Sequence, residues 1–190
     1  MTDGPRVAVV GAGTMGHGIA YVAALAGCAV TLTDSRPDAL PEALRRIDGL
    51  LAGGIERGKL SEADRAGVLA RLHTDPALAR GLSDADVVIE AVVEDLAVKQ
   101  RLFAEIERAA PPGALLATNT SSLSVGAIAA SVREPWRVVG MHFFNPVHLM
   151  KLVEVVPHGR GSERAAERAA AFARQLGKEP IMVRDSPGFA

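Results

Sequence analysis

Residues 6–20 read R-V-A-V-V-G-A-G-T-M-G-H-G-I-A, and this stretch decides how the chain is predicted to fold. Its apolar run, residues 7–10, is typical of a buried strand and stops at Gly11. Gly11, Gly13 and Gly16 have the spacing G-x-G-x-x-G, and apolar residues at helical intervals follow them. A strand, a glycine turn and a helix in this order are typical of the beginning of a dinucleotide-binding unit.

The three glycines have separate expected roles in such a unit. Gly11 would make the tight turn, Gly13 would let the backbone approach a pyrophosphate, and Gly16 would let helix and strand pack closely. The pyrophosphate would lie on unpaired N–H groups at the N-terminus of the helix, where the helix dipole favours negative charge. The predicted phosphate-binding residues are Gly11, Ala12, Gly13, Thr14, Met15 and Gly16.

The next apolar run favours this ligand-binding interpretation over that of a purely structural glycine turn. Residues 29–33 lead to Asp34, at about the expected distance after the glycine loop for a carboxylate that binds the adenosine ribose. Asp34 would repel the 2′-phosphate of NADP, so NAD is the predicted cofactor. Arg36 follows closely and leaves NADP open as an alternative.

Composition bounds the class of protein. A chain of 190 residues with a formal net charge of −1 and interspersed charges is typical of one globular domain. This charge balance gives no electrostatic case for binding nucleic acid or a membrane surface. The one cysteine, Cys28, rules out an internal disulfide and is expected to be buried and apolar rather than a reactive thiol. Without a signal-like or membrane-spanning run, the expected location is the cytoplasm, and no residue pattern indicates a metal site.

A helical region comes next. Residues 37–57 predict a long helix, residues 61–72 predict a second helix, and residues 73–74 predict a short strand. Arg57 and Lys59, at the end of the first helix, could meet anionic groups of a substrate. Ordinary surface charge explains them as well.

Residues 87–90 read V-V-I-E and predict a buried parallel strand, which a helix over residues 95–109 follows. Ligands bind at the carboxyl ends of the strands in an open α/β sheet, so Glu94 and Lys99 are candidates to face a ligand. An exposed pair at a helix end explains their spacing equally well. Only four of the 21 basic residues are lysines, which indicates that a compact ammonium group is needed at Lys99.

A polar segment follows the next strand. Residues 115–118 predict this strand, and residues 119–123 after it read N-T-S-S-L. The amide and hydroxyl groups of the segment, including Ser121, could cap the following helix or contact a ligand. The sequence favours capping.

Residues 138–156 read V-V-G-M-H-F-F-N-P-V-H-L-M-K-L-V-E-V-V and contain two strand-like runs on either side of Asn145. The connection is too short for a parallel crossover, so the runs are predicted to pair antiparallel. A turn near His148 would place His142 roughly opposite Glu154. Because a carboxylate partner fixes the tautomer of an imidazole and stabilises its protonated form, His142 is a candidate general base. His148, in the loop, is expected to face solvent.

The remaining segments complete the fold prediction. Residues 163–176 predict an amphipathic helix, and residues 180–183 predict a strand at the edge of the sheet. The whole pattern predicts an α/β fold of the Rossmann type, with a doubly wound, mostly parallel sheet and an antiparallel edge. Residues 1–185 would form the NAD-binding and catalytic domain, and residues 186–190 would begin a linker.

These motifs together resemble the N-terminal domain of the L-3-hydroxyacyl-CoA dehydrogenases, including the 3-hydroxybutyryl-CoA dehydrogenases. The resemblance covers essentially the whole chain. It rests on G-A-G-T-M-G-H-G-I-A, E-A-V-V-E-D, N-T-S-S-L, H-F-F-N-P-V and L-V-E-V-V, in the family's order and spacing. It implies NAD-dependent interconversion of an (S)-3-hydroxyacyl-CoA, with short-chain 3-hydroxybutyryl-CoA favoured, and the 3-ketoacyl-CoA, in fatty-acid (β-oxidation) or butanoate metabolism.

The resemblance also implies roles for individual residues. His142 would be the catalytic base and Glu154 its carboxylate partner. Ser121 would contact both substrate and nicotinamide, and with Asn145 it would orient the substrate oxygen. Arg57 and Lys59 remain candidates to bind the substrate. The implied contacts to NAD are residues 11–16, Asp34, Glu94, Lys99, Ser121 and Asn145.

Members of this family continue past the S-P-G-F motif into a helical C-terminal domain, which forms a homodimer and covers the acyl chain. This sequence ends at Ala190, so we expect the chain alone to bind NAD but to turn over acyl-CoA poorly. Two other interpretations stay open. One is a related NAD-dependent dehydrogenase that acts on a sugar acid or on carnitine, and the other is a non-catalytic NAD(H)-binding module.

Overall fold

The computed structural model describes residues 4–159, 161–186 and 188. Within these residues the chain forms eight strands, seven α-helices and one 3₁₀ helix. The strands are β1 (Arg6–Val10), β2 (Ala29–Thr33), β3 (Leu72–Thr74), β4 (Val87–Glu90), β5 (Leu115–Thr118), β6 (Val138–Phe143), β7 (Leu152–Val156) and β8 (Glu179–Met182). The α-helices are α1 (Thr14–Leu25), α2 (Ala39–Glu56), α3 (Glu62–Arg71), α4 (Leu78–Gly81), α5 (Leu96–Ala109), α6 (Val125–Ala129) and α7 (Glu163–Gln175).

The strands of the described residues form one sheet in the order β3-β2-β1-β4-β5-β6-β7-β8. Neighbouring strands are parallel except β6 and β7, which are antiparallel, and β8 is parallel to β7. The first six strands therefore have the doubly wound Rossmann order, and two reversed strands form one edge. This arrangement confirms the predicted fold class. It also places the carboxyl ends of β1, β2, β4, β5 and β6 at the same end of the sheet.

Helices cover both faces of the sheet, because the central strands carry apolar side chains on both sides. Alternate residues of β1 belong to different core clusters: Val7 and Val9 to one, and Ala8 and Val10 to the other. Helices α1, α2 and α7 pack on the first face, and α5 and α6 pack on the second. Val9 and Ile19 are completely buried, and burial of each such side chain stabilises the fold by about 1.5–3 kcal/mol.

The predicted elements lie within a few residues of the observed ones, and the deviations have local causes. The helix predicted over residues 37–57 begins at Ala39, because the N–H of Ala39 closes a turn on the carbonyl of Arg36 at 3.1 Å. The short helix α4 and the 3₁₀ helix Pro135–Arg137 are too short to show a helical period in the sequence. None of the described helices is long and apolar enough to cross a membrane.

Candidate active site

The glycine loop between β1 and α1 is shaped by two of its three glycines. Gly11 has φ +104°, and its N–H donates to the carbonyl of Thr33 at 2.8 Å. A Cβ atom on Gly16 would lie 1.7 Å from the carbonyl oxygen of Gly11, so helix and turn are in direct contact there. Gly13 differs, because a Cβ atom on it would meet nothing within 4 Å. The space beside Gly13 is therefore open to a ligand.

The N-terminus of α1 is suited to an anion. Its N-cap residue is Gly13, which provides no side-chain cap, and its first turn contains no acidic residue. The first N–H groups of a helix have no acceptor within the helix, and the helix dipole adds positive potential at that end. The predicted phosphate-binding residues 11–16 make up this loop and the first turn, so they fit a pyrophosphate group.

Asp34 lies beside this loop, directly after β2. One carboxylate oxygen accepts a hydrogen bond from the N–H of Ala12 at 2.8 Å, and the other accepts one from the N–H of Arg36 at 2.8 Å. The guanidinium of Arg36 is 3.8 Å from the same carboxylate. Asp34 lines a cavity of about 790 Å³ that extends from Gly13 to Arg101 of α5. This volume is in the range of ligand-binding pockets.

Glu94 and Lys99 are connected to a third residue that the sequence did not single out, Glu90. The side chain of Lys99 is 1% exposed, and its ammonium group pairs with the fully buried Glu90 and with Glu94, at 3.4 Å from the latter. Lys99 is therefore buried, whereas the Glu94 side chain is 36% exposed. The compact ammonium group expected at this position lies between two carboxylates. A direct contact of Lys99 with NAD stays a prediction.

Glu94 holds the polar segment after β5. One of its oxygens accepts hydrogen bonds from the hydroxyl of Thr120, from the N–H of Ser121 at 2.8 Å and from the N–H of Ser122 at 3.2 Å. Burial raises the pKa of the Glu94 carboxyl, but these hydrogen bonds and the charge of Lys99 outweigh burial and keep the pKa below its ordinary value. The ionised carboxylate thus fixes the backbone of Ser121.

The capping role favoured for residues 119–123 is wrong. The N-cap of α6 is Ser124, whose hydroxyl accepts a hydrogen bond from the third residue of the helix. Asp185 accepts from the first two N–H groups of the helix at 2.9 and 2.8 Å. The polar segment contacts Glu94 instead, because two separate loops meet at this end of the sheet.

His142 and Glu154 are paired residues of β6 and β7, as the sequence predicts. The Nδ1 atom of His142 lies 2.7 Å from a carboxylate oxygen of Glu154, whose side chain is buried. The imidazole also packs on Phe144, with ring centroids 4.5 Å apart. The side-chain oxygen of Asn119 accepts from the N–H of Phe143 at 2.9 Å, which joins the end of β5 to β6. A buried carboxylate at this distance can stabilise the imidazolium form.

The expectation that His148 faces solvent is wrong. Its ring is half-buried and meets Tyr21 edge-on, with centroids 6.2 Å apart. Burial lowers the pKa of His148, and the positive charges of Arg57, Lys178 and His17 lower it further. The apolar partner was not visible in the sequence, because Tyr21 lies on a helix that is distant along the chain.

Two further contacts hold the loop between β6 and β7. Val147 packs on Gly18 of α1, where an added Cβ atom would lie 2.9 Å from Val147 Cγ2. Lys178, which is 8% exposed, donates to the carbonyls of Val147 and Met150, the latter at 2.8 Å. Asn145 is exposed at the start of this loop, close in sequence to the end of β6.

Arg57 and Lys59 are exposed just after α2. Burial raises the pKa of Tyr21, and the nearby charge of Arg57 opposes this with a smaller effect. The same charge adds to burial in lowering the pKa of His148. Arg57 therefore lies on the α1 side of the loop between β6 and β7. A substrate contact for either basic residue stays a prediction.

Sequence reasoning missed Glu90 and Lys178. In the sequence, Glu90 is only the last residue of an apolar strand. The structure buries its carboxylate completely, and a buried carboxylate requires a partner. The scarcity of lysine, which indicates a need for a compact ammonium group at Lys99, applies equally to Lys178. These two lysines are buried, whereas Lys59 and Lys151 are exposed.

The glycine loop, Asp34 and the His142–Glu154 pair thus lie at the same end of the sheet. Comparison with known proteins gives the family. The sequence model of the family described as "3-hydroxyacyl-CoA dehydrogenase, NAD binding domain" matches residues 6–186. The chain therefore belongs to this family, which confirms the resemblance inferred from the motifs.

Individual relatives agree with this assignment. The chain is 43% identical over 188 residues to the fatty acid oxidation complex subunit alpha of Ectopseudomonas oleovorans, covering 98% of this chain and 26% of that protein. It is similar to the 3-hydroxybutyryl-CoA dehydrogenase of Escherichia coli K12, with TM-score 0.93 and 44% identity over 97% of this chain and 39% of that one. The (S)-3-hydroxybutyryl-CoA dehydrogenase of Ralstonia eutropha gives TM-score 0.93 and 38% identity, over 98% and 66%. The chain thus spans about a quarter of the length of the curated relatives it matches.

Proposed function

We propose that this chain is the NAD-binding and catalytic part of a dehydrogenase that interconverts (S)-3-hydroxyacyl-CoA and 3-ketoacyl-CoA, with short acyl chains preferred. The observation that carries the proposal is the His142–Glu154 pair, which lies at the same end of the sheet as the glycine loop. The matching family is described by the name of a 3-hydroxyacyl-CoA dehydrogenase, which supports the substrate class. The solved relatives named for 3-hydroxybutyryl-CoA support the short chain.

The geometry gives each residue a chemical task. Since Nδ1 of His142 faces Glu154, we assign the other ring nitrogen, Nε2, to take the proton of the substrate 3-hydroxyl. Glu154 would stabilise the resulting imidazolium. Ser121 and Asn145 would orient the substrate oxygen. NAD, when bound, would accept the hydride from C3 of the substrate.

The glycine loop and Asp34 are the residues that would hold the cofactor. The open space beside Gly13 and the uncapped N-terminus of α1 suit the pyrophosphate, and Asp34 suits the ribose. Arg57 and Lys59 are assigned to the anionic part of acyl-CoA. A domain boundary at residue 185, a following C-terminal helical domain that forms a homodimer, and a cytoplasmic location stay predictions.

The test is direct. NADH is titrated into the chain, and NADH oxidation is then measured with acetoacetyl-CoA and with the oxidised forms of a sugar acid and of carnitine. We expect NADH binding, slow oxidation that acetoacetyl-CoA supports best, and loss of that oxidation in His142→Ala with NADH binding retained. Asp34→Ala is the matched variant at the proposed cofactor site, and NADH binding should weaken in it.

Several outcomes contradict the proposal. Absence of NADH binding would refute the assignment of the glycine loop. Oxidation at the same rate in His142→Ala would refute the assigned base. Binding without any oxidation would mean that this chain is a competent nucleotide-binding domain that needs the C-terminal domain for catalysis. Better oxidation with one of the other two substrates would favour the related dehydrogenases.

A further inference from the structure

Glu90 is a fully buried carboxylate at the end of β4 that the mechanism above does not use. Its two oxygens accept hydrogen bonds from the N–H of Val92 at 2.7 Å, from the ammonium of Lys99, and from the hydroxyl of Thr118 at 2.7 Å. Three donors on two oxygens, one of them positively charged, stabilise the carboxylate of Glu90. A buried charge of this kind is stable only while its partners remain in place.

The charges around Lys99 do not cancel. One ammonium group serves two carboxylates, Glu90 and Glu94, so the cluster has a net charge of one negative unit. Glu90 is closed off from solvent, whereas the Glu94 side chain is 36% exposed. The negative charge that Lys99 does not neutralise therefore acts at the exposed end of the cluster. There, Glu94 accepts a hydrogen bond from the N–H of Ser121 at 2.8 Å.

The Ser121 segment is also connected to Glu90 by a second route. The hydroxyl of Thr118, which donates to Glu90, accepts from the N–H of Thr120 at 3.3 Å. Thr120 in turn donates to Glu94. Glu90 thus fixes both the position of the ammonium group and the start of the loop that carries Ser121.

We propose that Glu90 is a positioning residue that, through Lys99, keeps one unit of negative charge on Glu94 beside the nicotinamide and so favours oxidised over reduced cofactor. This rests on the proposed function, which places the nicotinamide against Ser121. The nicotinamide ring is positively charged in NAD⁺ and neutral in NADH, so a nearby negative charge stabilises the oxidised form selectively. Glu90 acts here without touching the cofactor.

The test compares two variants that disturb the same buried group. Glu90→Gln removes the charge and leaves Lys99 neutralised by Glu94, whereas Thr118→Val removes a hydrogen bond to Glu90 and keeps every charge. Dissociation constants are measured for NADH by its fluorescence and for NAD⁺ by competition, and unfolding by urea is followed in parallel. We expect the ratio of the NAD⁺ constant to the NADH constant to rise about three- to tenfold in Glu90→Gln. Thr118→Val should lower stability and leave this ratio within about twofold of its original value.

The outcomes separate this inference from the proposed function. If the unmodified chain binds neither nucleotide, the proposed function fails. If it binds both and the folded Glu90→Gln variant keeps the original ratio, the inference on Glu90 fails alone. If Glu90→Gln does not fold, Glu94→Gln removes the same unit of charge from the exposed end, and an unchanged ratio in that variant overturns the inference.

Discussion

His142 and Glu154 face each other across the antiparallel pair β6–β7, and their side chains meet at 2.7 Å. Side chains alternate between the two faces of a strand, so a slip of one residue in this register would move Glu154 to the opposite face. The register depends on the connecting loop, which Lys178 holds through the carbonyls of Val147 and Met150. The geometry of the proposed base therefore depends on a buried lysine outside the strand pair.

Replacement of Glu154 by glutamine should slow catalysis without weakening cofactor binding. The amide keeps the size of the side chain but cannot neutralise an imidazolium on His142, so we expect the rate of NADH oxidation with acetoacetyl-CoA to fall about 10²-fold. The matched control is Glu179→Gln on the neighbouring strand, where the carboxylate is 73% exposed and 3.9 Å from Lys151. An undiminished rate in Glu154→Gln would exclude the assigned role of Glu154.

Much of the fold could be predicted because its signals are local. The apolar runs that form β4 and β5, the glycine spacing after β1 and the periodicity of α5 each lie within a short window of sequence. The pairing of His142 with Glu154 was predictable for the same reason, since a short connection between two strands leaves few registers. Local patterns therefore predict the sheet and two parts of the candidate site, the glycine loop and the His142–Glu154 pair.

The rest of the site depends on contacts between distant segments. Glu94 accepts from Ser121, which lies 27 positions later, and Lys178 donates to Val147, which lies 31 positions earlier. No periodic pattern links such residues. Capping was the better local explanation for the polar segment after β5. It failed because the first N–H groups of α6 donate to Ser124 and to Asp185, a carboxylate that is distant along the chain. Burial of His148 was missed for a comparable reason.

The glycines of the first loop should respond differently to alanine. Gly16→Ala would place a Cβ atom 1.7 Å from a carbonyl oxygen, so we expect loss of both stability and NADH binding. Gly13→Ala meets nothing within 4 Å, so stability should be kept while NADH binding weakens about tenfold or more. Gly49→Ala in α2, also without contacts, is the control and should stabilise the fold by about 0.5–1 kcal/mol. Normal NADH affinity in Gly13→Ala would mean that no phosphate approaches this backbone.

Stability should fall in mild alkali because of Cys28. Burial raises the pKa of this thiol from 9.0 to about 11, so the folded chain holds the proton more tightly than the unfolded chain does. The stability that this contributes is complete below about pH 9 and is lost as the pH rises towards 11. We expect a loss of about 1–2 kcal/mol between about pH 8 and 10.5 in urea unfolding.

The variant Cys28→Ala isolates this contribution. Burial also raises the pKa of Tyr21, so this residue too makes the fold less stable as the pH rises. The effect of Tyr21 remains in the variant. The free energy of unfolding of Cys28→Ala should therefore depend less steeply on pH than that of the unmodified chain. Equal slopes for the two proteins would show that the thiol titrates normally in the folded state.

Lys178→Met should loosen the loop between β6 and β7 more than it unfolds the chain. Methionine fills a similar volume but leaves the carbonyls of Val147 and Met150 without their donor, and an unsatisfied buried carbonyl costs about 1–3 kcal/mol. Burial lowers the pKa of Lys178, so part of that cost is offset when the buried charge is removed. We therefore expect a net loss of about 1 kcal/mol in the free energy of unfolding.

Hydrogen exchange distinguishes loosening of the loop from global destabilisation. The N–H groups of Leu149 and Met150 both donate to the carbonyl of Pro146, and they should exchange faster in Lys178→Met while those of β1 do not change. Lys151→Met is the matched control, because its side chain is 76% exposed and adjoins the same loop. Unchanged exchange at these two amides in Lys178→Met would show that the packing of Val147 on Gly18 is sufficient to hold the loop. The register of His142 and Glu154 would then not depend on the lysine.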